Sequence, residues 1–270
     1  MDPAPNIARP AGRRKRRLTP VAGGHEAHPT VRILGHRGAS SDAPENTLRA
    51  FELALAQGAD GVELDARLCG SGEVVVFHDE RLDRLTGTPG RVADTPWSVL
   101  GGLEVRAGPP GAAPERIPLL SEVLAALPRR ALINVELKSE DWTGSAVADA
   151  AAVLIEAGGH GERVILSSFD GRCLLRLALG HPGLRRGLLL DPDRARAFQR
   201  NVLLPLVARD AVHPHVSQLT AEDVRRWHRS GREVAVWTVD DPEVARRLRA
   251  WGVDSCITNR PGALRAALAG

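Results

Sequence analysis

Residues 31–68 read VRILGHRGASSDAPENTLRAFELALAQGADGVELDARL, and their hydrophobic pattern decides the fold class. Val31–Leu34 is a short apolar run of the kind found in buried strands. Thr47–Gln57 carries apolar residues at helical spacing and stops before Gly58, which predicts a helix. Gly61–Leu68 is a second predicted strand. The stretch is therefore a strand, helix and strand in succession, as α/β folds require.

The same alternation continues to the end of the chain. Further strands are predicted at Val74–Phe77, Leu132–Leu137, Arg163–Ser168, Leu184–Leu190, Ala211–Val216, Glu233–Val239 and Ser255–Thr258. Further helices are predicted at Leu119–Leu127, Ala146–Glu156, Arg172–Leu179, from about Asp193, and at Thr220–Arg229, Pro242–Trp251 and Pro261–Leu268. About eight strands alternating with helices over roughly 240 residues predict a single (β/α)8 barrel. A doubly wound open sheet is the alternative, but no GxGxxG motif follows the first strand.

Two segments depart from this alternation. Residues 80–117 are polar and rich in Gly and Pro, and we predict a small loop insertion there, after the second strand region. Residues 1–30 have no hydrophobic period and contain the basic run Arg13–Arg17, so we predict a disordered tail ahead of a barrel domain at 31–270. Such a run can bind nucleic acid or anionic lipid. We expect it to be solvated here, with neither nucleic acid nor an integral membrane contact among the partners.

Composition places limits on the class of protein. The 270 residues are 43% hydrophobic, which suffices for one large α/β domain. No apolar stretch approaches the roughly 18 residues of a membrane-spanning helix. Cys69, Cys173 and Cys256 are odd in number and far apart, so they offer neither a disulfide framework nor metal-ligand spacing. Since no apolar segment follows the basic run as a signal peptide requires, we expect a cytoplasmic location. The oligomeric state stays open.

Unusual polar residues stand where predicted strands end. His36 and Arg37 follow the first strand, His78 follows the run at 74–77, and Glu136 and Lys138 close the strand at 132–137. In a (β/α)8 barrel the reactive groups gather at the C-terminal ends of the strands. We therefore predict that these side chains share one site.

Three carboxylates in this set indicate a metal. Glu63 and Asp65 are two residues apart on a predicted strand, so both point to one face, and Glu136 lies on a second strand. Acids within apolar strands are costly unless they are paired or bound to a cation. Three carboxylate oxygens favour one Mg²⁺ or Ca²⁺, or Mn²⁺, over Zn²⁺. The alternative is that Glu63 or Asp65 pairs with an arginine at the barrel rim.

A cation beside Arg37 and Lys138 would concentrate positive charge, which suits a phosphate ester. The chain has two lysines among 36 basic residues, so Lys138 points to a need for a compact ammonium. His36 and His78 are then natural as a general acid and base. Which histidine takes which part stays open.

Ordered short motifs in this sequence resemble those of the glycerophosphodiester phosphodiesterase family. They run in family order from residue 33 to about residue 260. The segments are Gly35-His36-Arg37-Gly38, Pro44-Glu45-Asn46-Thr47, Val62-Glu63-Leu64-Asp65, Val76-Phe77-His78-Asp79, Ile117-Pro118-Leu119-Leu120, Val135-Glu136-Leu137-Lys138, Ser167-Ser168-Phe169 and Trp237-Thr238-Val239-Asp240. Each motif alone is weak, but the ordered set is specific. The family usually has Asn where Asp240 stands.

The resemblance implies a (β/α)8 barrel with a small insertion and a set of roles. A small-molecule glycerophosphodiester would be cleaved to glycerol 3-phosphate and an alcohol such as choline, ethanolamine or glycerol. The implied roles are metal binding by Glu63, Asp65 and Glu136, acid–base catalysis by His36 and His78, phosphate binding by Arg37 and Lys138, support of the site near His36 by Glu45, and lining of the pocket by Trp237.

Two other functions compete with this one. A related barrel phosphodiesterase acts on lysophospholipids, but it needs an apolar surface for acyl chains, and the sequence shows no clear hydrophobic insertion. A non-catalytic barrel that binds a phosphorylated ligand would be expected to lose a catalytic histidine or a metal carboxylate. This chain retains all of them.

Overall fold

The computed structural model describes residues 30–140, 145–192 and 207–269. The strands are β1 (Arg32–His36), β2 (Gly61–Leu68), β3 (Val74–Val76), β4 (Glu104–Val105), β5 (Glu115–Arg116), β6 (Leu132–Leu137), β7 (Val164–Ser168), β8 (Arg185–Leu190), β9 (Ala211–Pro214), β10 (Glu233–Val236) and β11 (Ser255–Thr258). The α-helices are α1 (Leu48–Ala56), α2 (Asp83–Thr86), α3 (Trp97–Leu100), α4 (Leu120–Ala126), α5 (Ser145–Ala157), α6 (Gly171–Gly180), α7 (Ala221–Arg229), α8 (Pro242–Trp251) and α9 (Pro261–Leu268). Residues 1–29 of the predicted tail, and the start of the helix predicted from about Asp193, lie outside these ranges.

Eight strands close into a parallel barrel. Their order around it is β1, β11, β10, β9, β8, β7, β6 and β2, and β2 pairs with β1 to close the ring. Every pairing between these eight strands is parallel. Wherever the connection between successive barrel strands is described, it contains a helix on the outside, as a parallel ladder requires. The (β/α)8 prediction is confirmed.

Strand β3 does not belong to the barrel wall, although its β-branched sequence resembles the barrel strands. It runs antiparallel to the end of β2, with Arg67 opposite Val75. Strand β2 has eight residues and continues beyond the barrel rim, and β3 folds back along that extension. The chain therefore returns to the rim at His78, directly after this hairpin.

The core lies between the outer face of the barrel and the helices. Buried Phe51, Leu64, Ile133 and Leu174 belong to one continuous apolar cluster under helices α1, α4, α5 and α6. A second cluster packs α7, α8 and α9 against the other half of the barrel. Since both clusters consist mostly of Leu, Val, Ile and Ala, the scarcity of aromatics does not prevent dense packing.

The insertion between β3 and α4 has its own small core. Phe77, Leu82, Leu85, Leu100 and Ile117 are fully or almost fully buried there. The sequence predicted a loop, and the structure instead contains α2, a 3₁₀ turn at Val92–Asp94, α3 and the antiparallel pair β4–β5. These elements have four residues or fewer, which is too short to give a readable period.

Threonines fix the starts of two helices. The Thr47 side chain accepts a hydrogen bond from the Ala50 backbone and caps α1. Thr220 and Asp223 form a reciprocal capping box at the start of α7. Among the described helices, none is both long and apolar enough to cross a bilayer.

Candidate active site

The three predicted metal carboxylates meet inside the barrel at its C-terminal end. Glu63 and Asp65 share the inner face of β2, and the register of β2 with β6 sets Glu136 beside Asp65. One oxygen from each of the three side chains lies within 4.8 Å of the others. The residues are 3%, 1% and 7% exposed, respectively. The strand ladder therefore builds a compact, buried, oxygen-rich cluster.

Two cations lie against this cluster. Lys138 Nζ contacts the Glu136 carboxylate and lies 3.1 Å from Asp65 Oδ1. Arg37 Nε lies 3.3 Å from Asp65 Oδ2, and the Arg37 backbone N–H donates to Glu63 Oε2 at 3.0 Å. Asp65 thus does pair with an arginine, as the alternative interpretation expected. Glu63 receives a backbone N–H, and the ring nitrogen Nε2 of His36 lies 3.9 Å from Glu63 Oε2.

Three buried carboxyl groups face only two cations, Lys138 and Arg37, which are themselves half-buried. Burial, followed by the charge of Asp65, raises the pKa of Glu63 to about 8. Burial also raises the pKa of Glu136 to about 7. Burial alone would raise the pKa of Asp65 as well, but Lys138 and Arg37 outweigh it and hold that pKa far below its usual range. A further cation would relieve this imbalance.

His36 ends β1 and stands opposite Glu63 in the ladder. Its Nδ1 lies 2.7 Å from Asn259 Oδ1, and the Asn259 amide nitrogen donates to Asp240 at 2.6 Å. Because Asp240 holds the amide nitrogen, the amide oxygen faces His36, so Nδ1 carries the ring proton and Nε2 has the lone pair. Burial and then the charge of Arg37 lower the pKa of His36. The ring is therefore neutral at pH 7.

His78 enters the site from the hairpin side. Its carbonyl accepts a hydrogen bond from Arg67 Nε at 2.9 Å, and the Phe77 backbone N–H donates to the Asp65 carbonyl at the same distance. Nδ1 lies 2.7 Å from Asp79 Oδ1, so this nitrogen carries the proton. Burial lowers the pKa of His78, while Asp65 and Asp79 act to raise it.

The Glu45 carboxylate contacts two arginines beside the site. It accepts from Arg37 Nη1 at 2.9 Å and from Arg84 Nη2 at 2.8 Å. It therefore supports Arg37, the residue that directly follows His36. The turn between them requires special backbone angles, since Arg37 (φ 56) and Gly38 (φ 87) are both left-handed. A Cβ at Gly38 would meet the backbone of Ala50 at 2.5 Å.

A cavity of about 240 Å³ opens over the carboxylates. Trp237 forms one wall, with Phe169 and His215 packed edge to face against it at 5.5 and 4.9 Å between ring centroids. Leu189 also lines the cavity, whereas Leu190, the next residue of β8, belongs to the outer core. The lining residues are His36, Arg37, Glu63, His78, Asn134, Glu136, Lys138, Phe169, Leu189, Trp237, Thr238 and Ile257.

Sequence reasoning assigned no part to several residues that hold the site together. Asn46 is 1% exposed, and its side chain exchanges two hydrogen bonds with Asp65, at 2.8 and 3.2 Å. It has φ 59, a conformation that asparagine tolerates better than most residues. Its place in the Pro-Glu-Asn-Thr motif was a usable signal. Asn259 and Asp79, which contact the two histidines, were also missed.

Comparison with known proteins agrees with this geometry. The model of the glycerophosphoryl diester phosphodiesterase family matches residues 36–263. That range contains every site residue described above. The chain therefore belongs to this family and is an enzyme of the phosphodiesterase class.

Individual relatives are similar over most of their length. The glycerophosphodiester phosphodiesterase of Caldanaerobacter subterraneus subsp. tengcongensis is 33% identical over 235 residues, which cover 86% of this chain and 95% of the relative. The crystal structure of a glycerophosphodiester phosphodiesterase from Thermotoga maritima is 32% identical, with a TM-score of 0.72 over 88% of this chain and 98% of the other. A phosphodiesterase from Oleispira antarctica, solved with the product sn-glycerol-3-phosphate, is 26% identical, with a TM-score of 0.76 over 88% and 97%.

Proposed function

We propose that this enzyme hydrolyses small glycerophosphodiesters, such as glycerophosphocholine or glycerophosphoethanolamine, to glycerol 3-phosphate and an alcohol with the help of one divalent cation. One observation carries the proposal: carboxylates, two cations and two histidines all border a single 240 Å³ cavity. The product bound to the Oleispira antarctica relative supports the choice of substrate class.

Glu63, Asp65 and Glu136 fit a hard cation, because each offers a buried oxygen and the three carboxyl groups have only Lys138 and Arg37 to balance them. We expect Mg²⁺ or Ca²⁺, with Mn²⁺ as the third candidate. Such a cation would polarise the phosphoryl group and stabilise the charge that develops on its oxygens. In our proposal, Arg37 and Lys138 then exchange part of their contact with Asp65 for contact with the phosphate.

The hydrogen bonds of the two histidines favour different roles. His36 Nε2 has a lone pair, and its Nδ1 partner is a neutral amide, so we assign it the removal of a proton from the water that attacks phosphorus. The Nδ1 partner of His78 is a carboxylate, which stabilises the charged ring. We therefore assign His78 Nε2 the delivery of a proton to the leaving oxygen as the phosphorus–oxygen bond breaks.

A panel of substrates and metals tests the proposal. Phosphorus NMR should show glycerol 3-phosphate formed from glycerophosphocholine or glycerophosphoethanolamine after addition of Mg²⁺, Ca²⁺ or Mn²⁺, and EDTA should abolish it. Glu136→Gln should lower turnover by about 100-fold or more, since oriented charge of this kind is worth that much. Glu52→Gln, on the exposed face of α1, is the matched control and should retain full activity.

The same panel separates the competing functions. Lysophosphatidylcholine should be cleaved more slowly than glycerophosphocholine, and the reverse order would favour the lysophospholipid enzyme. Binding of the diesters without turnover in the presence of any of the three metals would contradict the hydrolase proposal.

We also propose a cytoplasmic location, supported by three buried cysteines that are all free thiols. Activity that partitions with an extracytoplasmic fraction on cell fractionation would contradict this location.

A further inference from the structure

Arg84 lies in the insertion, on the four-residue helix α2, and contacts two acidic side chains at once. Its Nε and Nη2 donate to the two oxygens of Asp79 at 2.6 and 2.9 Å. Its Nη1 and Nη2 donate to the two oxygens of Glu45 at 3.1 and 2.8 Å. All three guanidinium nitrogens are thus engaged, and both carboxylates are held in bidentate contacts.

Each of these carboxylates holds a different residue of the candidate site. Asp79 contacts His78 Nδ1 at 2.7 Å, and Glu45 contacts Arg37 Nη1 at 2.9 Å. A continuous chain of charged hydrogen bonds therefore joins His78 to Arg37, and both of these residues line the cavity. Arg84 is its central member, although it does not line the cavity itself.

We propose that Arg84 is a positioning residue that orients the proposed acid His78 and the proposed phosphate ligand Arg37 together, and so makes the insertion part of the catalytic apparatus. This inference rests on the proposed function for the roles of those two residues. The planar guanidinium is what allows it, because its donors form a rigid fork that matches two carboxylates. A lysine could supply the charge but not this geometry.

The charge of Arg84 also bears on His78. Hydrogen bonds from Arg84, together with that from His78, hold the pKa of Asp79 at about 2. The charged groups that act on His78 are Asp79 from its own segment, Asp65 from β2, Arg37 after β1 and Lys138 after β6. Without Arg84, no arginine would offset the negative charge of Asp79. That charge would then stabilise the protonated ring of His78 more strongly, so the pKa of His78 would rise.

Arg84→Ala, Arg84→Lys and the control Arg81→Ala test the inference. Arg81 belongs to the same insertion, has a side chain that is 59% exposed and pairs with Asp83, away from the cavity. We expect Arg84→Ala to lower kcat by about 10–100-fold, as misplacement of a reacting group does. Arg84→Lys should show most of the same fall in kcat, because one ammonium cannot hold both carboxylates. Arg81→Ala should have the same kcat as the parent protein.

An NMR titration of the His78 ring gives a readout that does not depend on turnover. In Arg84→Ala the pKa of His78 should move upward, while in Arg84→Lys it should stay closer to that of the parent. Full recovery of kcat in Arg84→Lys, or a His78 titration unchanged in folded Arg84→Ala, would overturn the inference. If the parent protein cleaves no diester, the proposed function fails, but the NMR comparison still decides whether Arg84 orients His78.

Discussion

The barrel interior holds two kinds of buried polar side chain, which differ in whether they have partners. In the carboxylate cluster at the C-terminal end, Asp65 contacts three side chains, those of Lys138, Arg37 and Asn46. The side chains of Asn134, Ser167 and His213 are also buried, but none has a hydrogen-bond partner within the described residues. The charged groups of the cluster are thus paired, while these neutral polar groups are buried without partners.

This difference corresponds to a division between residues that serve function and residues that serve stability. Groups at the C-terminal end of a (β/α)8 barrel face the substrate, whereas those nearer the N-terminal end serve the fold. Burial lowers the pKa of His213 to about 4, so this ring stays neutral at pH 7. His36 and His78 keep carbonyl or carboxylate partners that fix which nitrogen carries the proton. Substitutions at the two ends should therefore give different kinds of loss.

The largest effect is expected at the C-terminal end. His36→Ala and His78→Ala should each lower kcat by about 10²–10⁴-fold, the usual contribution of general acid–base catalysis. Both proteins should keep the parent circular dichroism spectrum, since each ring borders a cavity. Near-normal turnover in either variant would remove that histidine from the proposed mechanism.

An intermediate effect, on stability alone, is expected for His213. The unfolded state binds a proton at this histidine below about pH 6.5, whereas the folded state binds it only near pH 4. Folding is therefore penalised as pH falls from 6.5 towards 4. The penalty at pH 5 is about 2 kcal/mol, since one pKa unit corresponds to about 1.4 kcal/mol.

His213→Gln measures this penalty, because glutamine cannot take up the proton. Urea unfolding at pH 7 and pH 5 should show a smaller loss of stability on acidification in the variant than in the parent. The other histidines contribute equally to both proteins, so the difference isolates residue 213. Parallel losses in the two proteins would contradict a neutral, buried His213.

The smallest effect is expected at the N-terminal mouth. Glu233 joins Arg32 and Arg185 there, at 2.5 and 2.9 Å, and its side chain is 40% exposed. Glu233→Gln should cost no more than about 1 kcal/mol of unfolding free energy, because water screens such pairs. Its kcat should equal that of the parent. A clear loss of turnover would mean that the two ends of the barrel are coupled.

The sequence predicted the fold and the central residues of the site because both follow from local patterns. Two-residue spacing placed Glu63 and Asp65 on one face of β2. His36 was expected in the site because it ends β1, and reactive groups of a (β/α)8 barrel lie at the C-terminal ends of its strands. His78 was expected at the site because a strand ends before it, but β3 is antiparallel, so the hairpin brings it there. The predicted strand is present, but it belongs to a hairpin with β2 and not to the barrel wall.

The supporting contacts could not be predicted in the same way. Arg84 meets Glu45 from 39 residues away, and no period or spacing relates the two. The insertion elements α2 and β4 are too short to show a pattern. Asp240, the departure from the family motif, proved to be hydrogen-bonded to Thr258 and Asn259, which only tertiary structure could reveal.

The hairpin at the end of β2 has a consequence for the order in which the site is assembled. His78 lies 13 positions after Asp65 and reaches it through a local turn, which a short loop closure can form early. His36 and Asn259 are separated by 223 positions and meet only when the first and last strands pair. Ribosomal synthesis must therefore have passed Asn259 before His36 acquires its partner, so a nascent chain carries one oriented histidine and gains the second on closure of the ring.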